Sequence, residues 1–246
     1  MARYPGAVWL PIERNHGGRR TRTRAVVLHV DAGAAKSLRG WFNNPAALAS
    51  SHFYVTFDGR VEQYLDTDAV AWTQRDGNSS CVGIETQGKG DGEWTPAQLA
   101  ALAPLLVWLC DLYGLPRADM GNSLPSSRGI GLHRYGIDPW RARGCETWGP
   151  RGKACPGEQR VAQLPALIRA IQPAPAPTIT PTQEDDPMII YRAAGERTKY
   201  GVLAHNGGFV ELQSKAEYDN LRKAGAREVW VEKYTLKNLI ADARSH

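Results

Sequence analysis

The run AVVLHV at residues 25–30 constrains the fold more than any other stretch of this chain. An unbroken apolar segment of this length suits a strand buried on both faces, as in the middle of a sheet covered by other layers. The run also carries a histidine next to its end. An imidazole in so apolar a setting needs partners for its ring nitrogens, so His29 is either a satisfied core residue or a ligand.

Further elements follow on both sides. SLRGWFNN (37–44) places Leu38, Trp41 and Phe42 at helical spacing. HFYVTF and VEQYL flank Asp58-Gly59, a short-range hairpin signal. CVGIETQ (81–87) reads as a second central strand. TPAQLAALAPLLVWLCDLYG (95–114) opens with Thr95, Pro96 and Gln98, the pattern of a capping box with proline at the first helical position. A long buried helix, kinked near Pro104, is expected there. PGEQRVAQLPALIRAIQ (156–172) reads as a closing helix. Strands mixed with helices and a hairpin predict an α/β unit with a mixed β-sheet flanked by helices.

The segment PAPAPTITPTQEDDP (173–187) ends that unit. Alternating prolines favour extended backbone, and the acidic end stays solvated. Residues 1–172 are therefore read as one large unit, 173–187 as a Pro-rich acidic linker, and 188–246 as a small α+β domain of strands around a helix. Ser214 and Glu217 predict a capping box for that helix. A second helix is expected at the end of the chain.

The net charge is +5, with 22% charged and 42% apolar residues, a globular composition with a modest basic excess. Nucleic acid, an anionic wall polymer and plain solubility are all compatible with it, although no basic run is long enough for a nucleic-acid arm. The N-terminal MARYPGAVWLPIERN has no apolar core of signal-peptide length. The longest apolar segment, Leu99 to Leu112, is short for a membrane span. Four cysteines do not make a disulfide framework. Cys81 and Cys110 lie in regular elements and read as buried thiols. Cys145 and Cys155 lie in polar, glycine-rich sequence.

A zinc hydrolase needs three protein ligands and one open position. His29 at a strand end, His133 in GIGLHRYG and Cys155 in GKACPG supply such a set, with Cys145 in RARGCETWG as the rival thiol. On spacing alone, a lone histidine is more often a satisfied core or surface residue than a ligand.

Several blocks occur in order over residues 20–172: VVLHV, SSHFYVTFDGRVEQ, Ala71-Trp72, VGIE at 82–85, GLHRY at 131–135 and KACPG at 153–157. Through them the chain resembles the zinc-dependent type 2 N-acetylmuramoyl-L-alanine amidases, which share a fold with the peptidoglycan recognition proteins. The resemblance implies that His29, His133 and Cys155 bind Zn2+, and it favours Cys155 over Cys145, which lacks the preceding lysine. It implies Glu85 as the base and Lys153 as the group that stabilises the oxyanion. Some members carry a catalytic tyrosine where this chain has Ser51, and others read Ala-Trp-His where it has Ala71, Trp72 and Thr73. Glu85 then carries more of the chemistry. His52 is expected to be structural or substrate-lining, and Trp72 to line the substrate. Trp140 and Trp148 are candidates for stacking on the glycan, with core packing as the alternative.

The implied reaction is hydrolysis of the amide between N-acetylmuramic acid and L-alanine, with peptidoglycan as the partner, no nucleic acid and no membrane insertion. A linker with an extra domain and no export signal resembles a phage endolysin, made in the host cytoplasm and released to the wall through a holin lesion. The domain at 188–246 is then a cell-wall binder. The alternatives are a cytosolic muropeptide-recycling amidase and a peptidoglycan-binding module without activity.

Overall fold

The computed structural model describes residues 2–173, 189–193, 202–205, 208–212, 214–231, 236–238 and 241. The chain divides into two units, Met1–Pro173 and Ala174–His246. Apart from Pro173, the Pro-rich spacer lies outside the described residues, as does most of the expected final helix.

The first unit is built on a mixed sheet of β1 (Val8–Trp9), β3 (Ala25–Val30), β4 (Phe53–Val55), β5 (Val61–Gln63), β7 (Cys81–Thr86) and β8 (Gly129–Leu132), in the order β1-β5-β4-β7-β3-β8. β4 and β5 form the antiparallel hairpin around Asp58-Gly59, and the remaining neighbours run parallel. A separate antiparallel pair, β2 (His16–Arg19) and β6 (Ala69–Ala71), lies outside this sheet. A short helix α1 (Arg39–Asn43) and two long ones, α2 (Pro96–Tyr113) and α3 (Glu158–Ala170), complete the unit. The mixed α/β architecture is the one expected from the sequence.

β3 is buried along its whole length, and its pleat divides two environments. Val26 and Leu28 pack with Ile84, Leu132, Leu102, Leu105, Leu106, Leu164 and Leu167, the face covered by α2 and α3. Ala25 and Val27 pack on the other face with Cys81, Met120 and Trp148. Because side chains alternate along a strand, His29 emerges on this second face, away from the two long helices.

The expected capping box starts α2: Thr95 Oγ1 accepts from Gln98 N, and Gln98 Oε1 accepts from Thr95 N. The helix continues unbroken through Pro104. By length and composition it is apolar enough to cross a membrane, but here Leu102, Leu105, Leu106, Leu109 and Cys110 are spent on the protein core. Gln98 Nε2 ties the helix start to the carbonyls of Val55 and Gln87, at the ends of β4 and β7.

The second unit contains a sheet in the order β11-β10-β9-β12, with β9 (Ile189–Ala193), β10 (Val202–His205), β11 (Gly208–Glu211) and β12 (Arg227–Val231). α4 (Lys215–Lys223) starts at the expected Ser214–Glu217 capping box. Ile190, Leu212 and Ala226 form its described core.

Candidate active site

Strand register brings the first residues together. His29 of β3 faces Glu85 of β7 across one parallel rung. On the other side Leu28 pairs with Leu132, so His133 comes one step after the end of β8, beside His29. The two imidazoles lie with ring centroids 4.3 Å apart and planes tilted by 45°. Cys155 arrives from the loop before α3, and the ligand atoms of His29, His133 and Cys155 all lie within 4.8 Å of one another. All three side chains are buried.

The loop carrying Cys155 is held closely. Its Sγ accepts from Val30 N at 3.4 Å. Gly157, at φ +98°, packs so tightly on Gly90 that a Cβ would stand 1.6 Å from the Gly90 carbonyl oxygen. Only glycine combines that backbone conformation with that approach, which accounts for the last residue of the KACPG motif.

Each imidazole is anchored through Nε2. His133 Nε2 lies 2.9 Å from the Trp148 carbonyl oxygen, and His29 Nε2 lies 3.2 Å from Gln74 Oε1. His133 Nδ1 is buried with no hydrogen-bond partner, as is Glu85 Oε2, while His29 Nδ1 is 3.9 Å from Glu85 Oε1. Burial, then the neighbouring His133 and Lys153, holds His29 well below the usual imidazole range. Burial, with Lys153 behind it, brings His133 down to about 4. Both rings are thus neutral, the form that ligates metals. Burial and the Glu85 charge push the Cys155 thiol up to about 12. Burial also takes the Glu85 carboxyl up to about 8 against the pull of Lys153, with Asp31 adding to the rise. A divalent cation inverts this local logic, because it favours the thiolate and the carboxylate. Two neutral imidazoles and a thiol, one ring nitrogen left unpaired, form a donor set suited to zinc.

Beside this cluster opens a cavity of about 400 Å³ lined by Leu48, Trp72, Arg75, His133, Trp148 and Lys153 among others. None of its lining residues is acidic. Of the aromatic candidates, Trp72 and Trp148 reach the cavity. Trp148 contributes little exposed surface, because its Nε1 donates to Glu146 Oε2 and its ring is buried. Trp140 lies elsewhere, under the Arg134 guanidinium at 4.6 Å. His52 is fully buried: Nδ1 accepts from Gly83 N, and Nε2 faces the Ala69 carbonyl and Arg20. It lines no part of the cavity. Ser51, at the tyrosine position of some relatives, donates to the Phe53 and Gly83 carbonyls within the fold. Cys145 is buried outside the donor cluster.

Two supporting groups were not marked by sequence reasoning. Gln74 lies in the polar stretch WTQRDGNSS, where nothing distinguishes it from a loop residue. Arg24 is 2% exposed and donates to Glu146 Oε2 at 2.6 Å, the same oxygen that accepts from Trp148. An arginine directly before AVVLHV was a usable signal, since a charge entering a buried strand needs a counter-charge.

Residues 19–158 match the family model described as N-acetylmuramoyl-L-alanine amidase, and the chain belongs to that family. It is a peptidoglycan hydrolase of the amide between N-acetylmuramic acid and L-alanine. Among its relatives, N-acetylmuramoyl-L-alanine amidase A of Achromobacter lyticus is 30% identical over 137 residues, spanning 54% of this chain and 74% of the relative. An endolysin of Klebsiella phage KP32 is 33% identical over 104 residues, spanning 37% of this chain and 69% of the relative. The fold is similar to that of the endolysin amidase LysCS from Clostridium intestinale URNW, with a TM-score of 0.50 at 16% identity, covering 68% of this chain and 97% of that one.

Proposed function

We propose that His29, His133 and Cys155 hold a single zinc ion, that Glu85 and Lys153 carry out the proton and charge work, and that the protein serves as a phage endolysin. The observation that carries the metal reading is the convergence of two neutral imidazoles and a thiol within 4.8 Å, from three segments spread between residues 29 and 155. When bound, zinc supplies Lewis-acid chemistry: it polarises a carbonyl and makes water a usable nucleophile near neutral pH.

The chain's own groups do the rest. Glu85, on the rung beside His29 and 17% exposed, takes a proton from the attacking water. The water oxygen bonds to the amide carbon and the carbonyl oxygen becomes negative. Lys153, on the wall of the cavity, presents its ammonium to that oxygen. The C–N bond then breaks, and Glu85 returns the proton to the departing L-alanyl nitrogen. Trp72 forms an apolar wall for the substrate beside the reacting amide.

The Klebsiella phage endolysin among the relatives supports the lytic role. In that role the protein is made in the host cytoplasm and acts on the wall once the membrane has been opened. Residues 173–187 serve as a spacer, and 188–246 hold the enzyme on its insoluble substrate. This reading calls for peptidoglycan as partner, without nucleic acid or membrane insertion.

Incubation with purified sacculi, followed by mass spectrometry of the fragments, tests the reading. Free L-alanyl amino ends should appear without new reducing sugar ends, and should vanish on chelation and return with zinc. Release of fragments unaffected by a strong chelator would remove the metal-dependent mechanism.

A further inference from the structure

We infer that Gln74 is a positioning residue for the metal site: its side-chain oxygen fixes the His29 ring with the proton on Nε2 and thereby presents Nδ1 as the ligating nitrogen. The inference rests on the zinc reading above and extends it to a residue outside the ligand set.

The geometry is specific. Gln74 Oε1 lies 3.2 Å from His29 Nε2, and both side chains are 1% exposed. An amide oxygen only accepts, so it selects the tautomer that carries the proton on Nε2. The lone pair is then left on Nδ1, the nitrogen facing Glu85 and the cluster. His133 is arranged in the same sense by an unrelated group: Nε2 on the Trp148 carbonyl, Nδ1 buried and unpartnered. His29 on β3 and His133 just past β8 thus both leave Nδ1 clear of the backbone, each held through Nε2 by an oxygen.

Gln74 is itself held in place. Its backbone N–H donates to Asn78 Oδ1 at 2.7 Å, and its carbonyl accepts from Gly77 N at 2.9 Å. A Cβ on Gly77 would stand 2.9 Å from Gln74 Cγ and 2.7 Å from Trp148 Nε1, so glycine there lets the Gln74 stem and the indole close in together. The other end of the amide, Nε2, is buried and faces the Cys81 thiol, with no nitrogen or oxygen acceptor. A thiol is a weak acceptor, so the stronger contact of this amide is the one its oxygen makes with His29.

Outer-shell partners of ligating histidines typically change metal affinity by about 10- to 100-fold when lost. The test measures zinc affinity of the full chain by competition with a chromophoric chelator, beside the visible spectrum of the cobalt-substituted protein. Gln74→Leu should bind zinc about 10- to 100-fold more weakly and show a shifted cobalt spectrum, while the metal-free protein melts near the unaltered temperature. Gln74→Glu, which retains an acceptor facing His29 whichever way the side chain turns, should bind within a few-fold of the unaltered protein. If Gln74→Leu does not fold, Gln74→Met carries the same comparison. Equal zinc affinity and an unchanged cobalt spectrum in the variant lacking the acceptor would overturn the role of Gln74. Absence of stoichiometric zinc in the unaltered protein would instead remove the metal reading, and this inference with it.

Discussion

His29 and Glu85 share one rung of the parallel β3–β7 ladder and leave the sheet on the same face, with His29 Nδ1 3.9 Å from Glu85 Oε1. The proposed ligand and the proposed base are thus set side by side by backbone hydrogen bonding, before any loop is involved. The same rung also carries Tyr54, on the far side of Glu85. Glu85 is therefore fixed by three adjacent strands, and its proposed role as base can be separated from metal binding by substitution.

Glu85→Gln and Lys153→Ala should keep both fold and zinc while lowering turnover by roughly 100-fold or more, the scale for a lost general base or oxyanion donor. Metal content and initial rate on a soluble muropeptide are the paired measurements. Near-normal turnover of Glu85→Gln would displace it as the base. His52 is no replacement, because both its ring nitrogens are engaged within the fold.

Cys155→Ser should lose most of its zinc, while Cys145→Ser should retain one equivalent by elemental analysis. Cys155 Sγ belongs to the donor cluster and Cys145 does not. The opposite pattern would move the site away from the KACPG segment.

Glu146→Ala should destabilise the protein by roughly 3 kcal/mol or more, because it leaves the buried Arg24 charge without its carboxylate. It also removes the acceptor of Trp148 Nε1. By contrast Arg19→Ala, which breaks an ion pair whose arginine is 73% exposed, should cost less than about 1 kcal/mol. Urea unfolding of both variants gives the comparison. Equal costs would mean that the Leu124 and Ser127 carbonyls and the Ser80 hydroxyl satisfy Arg24 without the carboxylate.

His52 should make stability fall as the solution is acidified. Burial, then the Arg20 guanidinium, brings its pKa down to about 3 in the folded protein, against an ordinary value near 6.5. The unfolded chain therefore gains a proton below about pH 6.5 that the folded protein refuses until about pH 3. Stability is full above that window and declines through it, by up to about 1.4 kcal/mol per pH unit. Urea unfolding between pH 7 and 5 should show this slope reduced by one proton in His52→Gln. An identical slope in the two proteins would show that His52 can be protonated within the fold.

Much of this was legible in the sequence. AVVLHV, the Asp58-Gly59 hairpin and the Thr95 capping box each carry a local physical signal, and each reappears as its element. His29, His133 and Cys155 stood out as chemically unusual residues in apolar or glycine-rich settings, and the structure brings them together. The β2–β6 pair was not legible, because HGGR has neither the alternation nor the branched residues of a strand. Gln74 and Glu146 were missed for a related reason. Their roles depend on contacts 45 and 122 residues away in sequence, and a polar residue in a loop has no pattern that announces such a partner. Trp140 and Trp148 looked alike in sequence, and tertiary packing alone directs one to Arg134 and the other to the cavity.

β12 presents Trp230 half exposed, with the Arg192 guanidinium 4.8 Å from its ring centre. Val229 and Trp230 are both partly open to solvent, so this strand offers apolar surface on each side of its pleat. Aromatic rings bordered by polar groups suit binding sites that are apolar at one end and wet at the other. Tethering a weak binder to an enzyme on an insoluble polymer raises the local substrate concentration without new active-site contacts. The full chain should therefore act faster on intact sacculi than residues 1–172, while the two cleave a soluble muropeptide at similar rates. Trp230→Ala in the full chain should reduce sedimentation with purified walls and leave muropeptide cleavage unchanged. If the full chain and residues 1–172 sediment equally with walls at low salt, the second unit is no wall binder, and a sizing column should then show whether it mediates self-association.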